Sequence, residues 1–122
     1  MMRRIDWTFT VVLFAFGCLH NAVAFFVFDK ITEEALFFVG AGLAMWFAVG
    51  LNIARLRHGA AHADLAWLSF AANGLLAAIP ITGVIAIVSF PSLLGWSLVA
   101  TCGGLFALSA IDLFNTRRSA PR

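Results

Sequence analysis

A chain of 122 residues that is 62% hydrophobic and only 11% charged falls outside the ordinary water-soluble class, in which about 25% of residues are charged. A soluble domain of this length would still expose much of its surface to water and would need far more polar side chains to cover it. The net charge of +2 is too small to suggest binding to nucleic acid. The composition therefore predicts one domain of membrane-spanning helices, residues 1–122.

Four apolar stretches follow one another along the chain, at residues 7–28, 35–56, 65–88 and 93–114. Each has about twenty residues or slightly more, enough to cross a hydrocarbon core of about 30 Å. The segments between them, DKITEE, RLRHGAAHAD and SFPS, are polar or disfavour helix. Because lipid offers no partners to the backbone, each stretch should be helical. The expected fold is an all-α membrane protein, a bundle of four transmembrane helices.

The first stretch has two arginines before an apolar run, as a signal peptide does. The run is too long for that class and lacks a small-x-small cleavage site followed by a polar start. We therefore expect residues 7–28 to be the first transmembrane helix.

The basic residues predict the orientation, because Lys and Arg in short loops are retained on the cytoplasmic side. Lys30 alone flanks the opposite side, in an acidic loop. The other flanks carry Arg3, Arg4, Arg55, Arg57, Arg117, Arg118 and Arg122. Both termini are expected in the cytoplasm, in a multi-pass protein of the cell membrane.

Polar residues near the middle of the first stretch mark a candidate site. At a rise of about 1.5 Å per residue, His20 and Asn21 share a depth with Thr82 and Thr101, and Trp46 lies about one turn deeper. Polar groups inside a membrane are costly, which makes these five residues candidates for ligand binding or proton handling. The alternative is that they only join helices by hydrogen bonds.

A second polar level lies nearer the cytoplasm. Its residues are expected to belong mostly to the headgroup zone, with Asn73 as a deeper exception. Asn52 and Asp112 would be solvated or would pair with Arg55 or Arg117. The level comprises Asn52, Ser69, Asn73, Ser109 and Asp112.

The spacing of potential ligands argues against metal and cofactor chemistry. His20 has no second histidine at its depth, and Cys18 points about 200° away from it round the helix. A haem would need a histidine from a second chain. Hydrolysis by Thr101 and His20 would need a buried carboxylate near them, and none is expected at their depth. We expect no metal and no cofactor, and a membrane oxidoreductase or other enzyme ranks third, after a binding protein and a transporter.

Small residues in the second stretch allow close helix packing. Gly40 and Ala44 form a small-xxx-small pair, and Gly42 and Trp46 have the same spacing. Such pairs let another helix approach. That helix would belong to the same bundle or to a second copy of the chain.

Two family resemblances bear on function. In size and topology the chain resembles the small multidrug-resistance transporters, which carry an essential glutamate in the first helix. Residues 7–28 hold none, so His20 would have to replace it. The stretches GCLHNA and ALFFVGAGLAMWFAVGLNIAR resemble small four-helix bacterial membrane proteins loosely grouped with the DoxX family. That resemblance implies a compact four-helix bundle and no particular activity.

The function expected from these observations is non-enzymatic. The chain would be an accessory or oligomeric bundle, surrounded by membrane lipids, that binds a small apolar or amphipathic molecule or another membrane protein. The alternative is a dimeric, proton-coupled transporter of small molecules that uses His20.

Overall fold

The computed structural model describes residues 2–59, 62–86 and 93–119, with side chains for 2–59, 62–81, 93 and 95–115. In these ranges the chain forms four helices: α1 (Met2–Val27), α2 (Glu33–His58), α3 (Ala63–Ala86) and α4 (Leu93–Ser119). All four are long and apolar enough to cross a membrane. The prediction of four helices of spanning length is therefore confirmed, although residues 87 and 88, the end of the third predicted stretch, lie outside the described residues.

Local sequence explains where α2 begins and why it is stable at both ends. Thr32 precedes the helix, and its hydroxyl accepts a hydrogen bond of 3.2 Å from the backbone N–H of Ala35, as an N-cap should. Acidic residues occupy the first turn and basic residues the last, which complements the helix dipole. The short connection after α1 therefore ends in a defined cap.

The helices form a ring in chain order. α1 contacts α2 and α4, and α3 contacts the same two helices. α1 and α2 run antiparallel, since Arg3 at the start of α1 bonds to Leu56 near the end of α2. Ser69 near the start of α3 bonds to Leu51 on α2, and Asp112 near the end of α4 accepts a bond from Arg55 near the end of α2. The N-termini of α1 and α3 and the C-termini of α2 and α4 therefore share one end, which we call the N-terminal end of the bundle.

Glycines bring α1 and α2 into close contact. A Cβ atom added to Gly17 would lie 2.6 Å from the indole of Trp46 and 3.2 Å from the carbonyl oxygen of Gly42, and one added to Gly42 would overlap the amide of Asn21. Gly40, by contrast, has open space where its Cβ would be. The glycine of the predicted Gly40 and Ala44 pair therefore faces outward, and self-association through that pair stays a prediction.

The distribution of polarity is the reverse of that in a water-soluble bundle. Phe26 on the outer surface is 87% exposed and Leu75 is 73% exposed, whereas Asp6 and Asn52 are 4% and 0% exposed. The apolar part of the core lies between these polar groups and the opposite end, and consists of Leu13, Met45, Ala48, Val49, Ala77, Cys102 and Leu105. An apolar exterior around a polar interior is what lipid as a solvent favours.

Candidate functional site

A buried arginine joins three helices at the N-terminal end of the bundle. Arg55 on α2 is 3% exposed. Its Nη2 donates to both carboxylate oxygens of Asp6 on α1 at 2.7 Å, and its Nη1 donates to Asp112 on α4. Nη2 also lies 3.2 Å from the amide oxygen of Asn52. We call Asp6, Arg55 and Asp112 the charged triad.

An amide pair connects the triad to α3. Asn52 donates from Nδ2 to Oδ1 of Asn73 at 2.8 Å, and Asn73 donates back to Oδ1 of Asn52 at 2.9 Å. The two side chains are 0% and 2% exposed. Their remaining protons reach the backbone carbonyls of Ala48 and Leu105. Hydrogen bonds therefore run from α1 through α2 to both α3 and α4.

Hydroxyl groups around this network bond to backbone carbonyls. Thr10 donates to the carbonyl of Asp6 at 2.9 Å and Ser109 to that of Phe106 at 2.9 Å, both within their own helices. Ser69 on α3 donates across to Leu51 on α2 at 3.0 Å. These hydroxyls are satisfied by backbone acceptors, so they fill space beside the triad without adding charge.

The expectation that the second polar level faces the headgroup zone is wrong for its two serines, whereas Asn52 follows the alternative of pairing with Arg55. Asn52, Ser69 and Ser109 are each 0% exposed, because all three point between helices. Asp112 does pair with Arg55, one of the two alternatives left open, and its side chain is 44% exposed. The position of a residue along a helix gives its depth but not whether its side chain faces the lipid or another helix. The sequence analysis therefore could not recognise that these side chains are buried.

Asp6 is the functional candidate that sequence reasoning missed. It lies one position before the predicted stretch 7–28 and is not among the candidate residues of the sequence analysis, yet it is buried. A usable signal did exist. Asp6 before the first span and Arg55 at the end of the second have opposite charge, and an antiparallel hairpin of two helices brings those ends together.

A cavity of about 380 Å³ opens beside the charged triad. Ligand sites usually occupy about 300–1,000 Å³ and combine an apolar wall with a few polar groups. This cavity fits that description, with four charged side chains among apolar ones. Its wall is formed by Met2, Arg3, Asp6, Arg55, Leu56, Gly59, Ala66, Leu108, Asp112 and Asn115.

The accessible charges of this cavity differ from the buried ones. Asp6 and Arg55 bond to each other with side chains only 5% and 1% exposed, whereas that of Asp112 is 44% exposed. Arg3 is also exposed, and its Nη2 donates to the carbonyl of Leu56 at 3.0 Å. Among the described side chains of the wall, Arg3 and Asp112 are therefore the exposed charged groups.

Among the residues whose side chains are described, no hydrogen bond joins members of the predicted layer around His20. The imidazole of His20 stacks on Phe38 at 3.7 Å between ring centroids. Thr101 donates to the carbonyl of Ser97 in its own helix at 2.7 Å. The side chain of Thr82 lies outside the described part of the chain.

The other two members of that layer pack at the contact between α1 and α2. Asn21 lies against Gly42 and Trp46 against Gly17. The amide of Asn21 is buried, and neither its oxygen nor its nitrogen has a hydrogen-bond partner among the described residues. The functional roles assigned to these five residues stay predictions.

His20 does line a second, smaller cavity of about 130 Å³ in the apolar half of the bundle. This cavity exposes no polar surface. Its other lining residues are Ala41, Ala44, Met45, Leu76, Ile79, Pro80, Leu98 and Cys102. A cavity of this size with an apolar lining suits only a small apolar molecule.

Comparisons of the chain with protein families, curated proteins and solved structures find no match. Within the described ranges, no three His, Cys, Asp or Glu side chains are grouped so that they could hold a metal ion. The charged triad and the cavity beside it are therefore the features that bear on function.

Proposed function

We propose that this chain is a multi-pass membrane protein whose activity is to bind a small amphipathic molecule in the cavity beside the charged triad. The cavity carries the proposal, because it combines two accessible opposite charges with apolar side chains at one end of the bundle. A molecule with a polar group and an apolar part matches such a wall. The role is non-enzymatic binding.

The burial of the charged triad supports binding over a purely structural role. Asp6 and Arg55 are costly to remove from water, and an apolar pair of similar volume would hold the helices together at least as well. The network also leaves Nε of Arg55 buried without a partner among the described residues. If the ion pair served only to hold the helices together, no cavity beside Arg55 would be needed.

We expect the protein purified with its native lipids to carry a small bound molecule that native mass spectrometry detects. Leu108→Trp, which places a larger side chain in the cavity wall, should remove this adduct. Ala107→Trp is the matched control, since Ala107 directly precedes Leu108 in α4 and is exposed on the outside of the bundle. It should leave the adduct in place.

Two results would contradict the binding proposal. One is a wild-type protein that carries no adduct when its lipids are retained. The other is an adduct that Leu108→Trp and Ala107→Trp reduce to the same extent, because it would then lie outside the cavity.

We also propose that both termini lie in the cytoplasm. Four spans return the chain to the side on which it starts, and the arginine-rich flanks favour the cytoplasmic side. On this arrangement the N-terminal end of the bundle, with its charged triad and cavity, faces the cytoplasm.

Labelling of single cysteines tests the orientation. In a background with Cys18 and Cys102 replaced by alanine, Ile31→Cys should react with a membrane-impermeant maleimide on intact cells, since Ile31 is 87% exposed in the connection after α1. His62→Cys, exposed in the connection before α3, should react only after permeabilisation. The opposite pattern would reverse the orientation.

A further inference from the structure

We infer that the second cavity, in the apolar half of the bundle, is a binding site for one small apolar molecule that enters from the surrounding hydrocarbon. The molecule has about the size of a single aromatic ring and carries neither charge nor a hydrogen-bonding group. The second cavity is lined by His20 of α1 and by residues of the other three helices. It is separate from the cavity beside the charged triad, so the inference does not rest on the proposed function.

The size of the second cavity distinguishes it from an ordinary packing defect. Its volume is about 130 Å³. A water molecule takes up about 30 Å³ in the liquid, and few voids in protein interiors exceed the size of one water molecule. An apolar cavity of about 150 Å³ stays dry and binds benzene or xenon. The second cavity therefore has room for one molecule of this class.

The wall of the second cavity selects against polar ligands. The described residues that line it present no polar surface to the cavity. The imidazole of His20 stacks on Phe38 and meets the cavity through carbon atoms. Cys102 is 1% exposed, and a buried thiol behaves as a small hydrophobe. Since a water molecule needs about two to four polar partners to stay in a cavity, this wall favours an apolar molecule over water.

Two residues of the wall connect the second cavity with the outer surface of the bundle. Ala44 on α2 lines the cavity and is also exposed. Ile79 on α3 lines the cavity and is 64% exposed. Both lie in helices that are long and apolar enough to cross a membrane, where the solvent around them is hydrocarbon. An apolar molecule dissolved in the bilayer therefore meets the cavity between α2 and α3.

Small side chains on α2 keep the second cavity open. Ala41 and Ala44 line it from that helix, and larger apolar side chains at these positions would fill part of its volume. An empty cavity destabilises a fold in proportion to its volume, because the atoms around it lose packing contacts. A molecule that restores those contacts is bound by the folded chain and stabilises it.

Fluorine NMR of the purified protein in dodecyl maltoside tests the inference, with fluorobenzene as the probe. Detergent micelles dissolve fluorobenzene without saturation, so a titration of protein-free micelles is subtracted. We expect the protein to add a saturable component, which is the mark of a binding site. Uptake that rises linearly with concentration, as in the empty micelles, would overturn the inference.

A pair of phenylalanine variants assigns the saturable component to the second cavity. Cys102→Phe places a ring in the cavity, because Cys102 is buried and lines it, and should weaken fluorobenzene binding by about tenfold or more. Gly103→Phe is the matched control at the next position of α4, where no atom lies within 4 Å of an added Cβ. It should leave binding unchanged. Equal losses in the two variants would place the site elsewhere.

Leu98→Ala tests the same site by enlarging it, so the result does not depend on whether Cys102→Phe folds. Leu98 lines the second cavity. After correction for uptake by micelles, the wild-type protein should bind 1-fluoronaphthalene about tenfold more weakly than fluorobenzene, because the second ring needs more space. Leu98→Ala should reduce this difference. If the difference is unchanged, the probes bind outside the cavity and the inference is wrong.

Two further comparisons define the occupant and separate the two cavities. Leu108→Trp fills the cavity beside the charged triad and should leave fluorobenzene binding unchanged, so a loss of binding in this variant would contradict a separate site. A palmitate fluorinated at its terminal carbon offers the end of a lipid chain instead of a free molecule. If this palmitate gives a saturable signal and fluorobenzene gives none, the cavity holds a chain end and the inference is wrong.

Discussion

Replacing Arg55 with methionine should lower the free energy of unfolding by about 3–5 kcal/mol, the usual cost of removing one partner from a buried ion pair. The variant leaves Asp6 between packed helices, where it must stay charged without its partner or take up a proton. It also removes the link from α2 to Asp112. Unfolding by denaturant in mixed micelles, followed by circular dichroism, measures the change.

The matched control for Arg55→Met is Arg57→Met. Arg57 lies two positions later on α2 and is exposed, so its replacement removes a charge without emptying a buried contact. It should change the free energy of unfolding by less than about 0.5 kcal/mol. Equal losses in the two variants would mean that the buried triad contributes nothing specific.

A double variant separates charge burial from packing. Asp6→Leu combined with Arg55→Met replaces the closest pair by apolar side chains, and such replacements are often neutral or stabilising. We expect the double variant to regain most of the stability that Arg55→Met loses, because Asp112 is partly exposed and is solvated more easily. A double variant as unstable as the single one would show that the hydrogen bonds to Arg55 matter more than its charge.

Replacing Gly42 with valine should lower the free energy of unfolding by about 1–3 kcal/mol, the range for overpacking of a tight contact. The new Cβ would overlap the amide of Asn21 and force α1 away from α2. The carbonyl of Gly42, which lies close to Gly17, would move with it. The same unfolding measurement applies.

Gly40→Val is the control for Gly42→Val. It places the same β-branched residue in the same helix, where no atom lies within 4 Å of the added Cβ. The cost of valine in a helix is common to both variants, so their difference isolates the contact with α1. If Gly40→Val were the more destabilising variant, its outward face would be an interface between copies of the chain, as the small-residue pair predicts.

Most of the fold could be predicted from the sequence because the signal is local. A run of about twenty apolar residues specifies a spanning helix without reference to any other part of the chain. The four stretches predicted from the sequence correspond to α1, α2, α3 and α4. Short connections then favour antiparallel neighbours, as the bonds from Arg3 to Leu56 and from Ser69 to Leu51 show for α1, α2 and α3.

The candidate site was only partly predictable, since depth along a helix is readable but direction round it is not. Counting residues placed Asn52 and Asn73 at neighbouring levels, and they do bond to each other. The same counting gave no reason to separate Asn52, which is fully buried, from a residue facing headgroups. Asp6 precedes the first predicted span by one residue, so counting depths within the spans does not include it.

The sequence by itself determined the class of the protein, which is four apolar helices of spanning length. It also indicated that the arginines flank the start of the first helix and the ends of the second and fourth. Only the tertiary structure decided that Arg55 meets Asp6 and Asp112, and that a cavity remains beside them. The physical reason is that hydropathy acts on each helix separately. Pairing of charges depends on which faces of three helices meet, and packing contacts such as that of Gly42 with Asn21 set those faces.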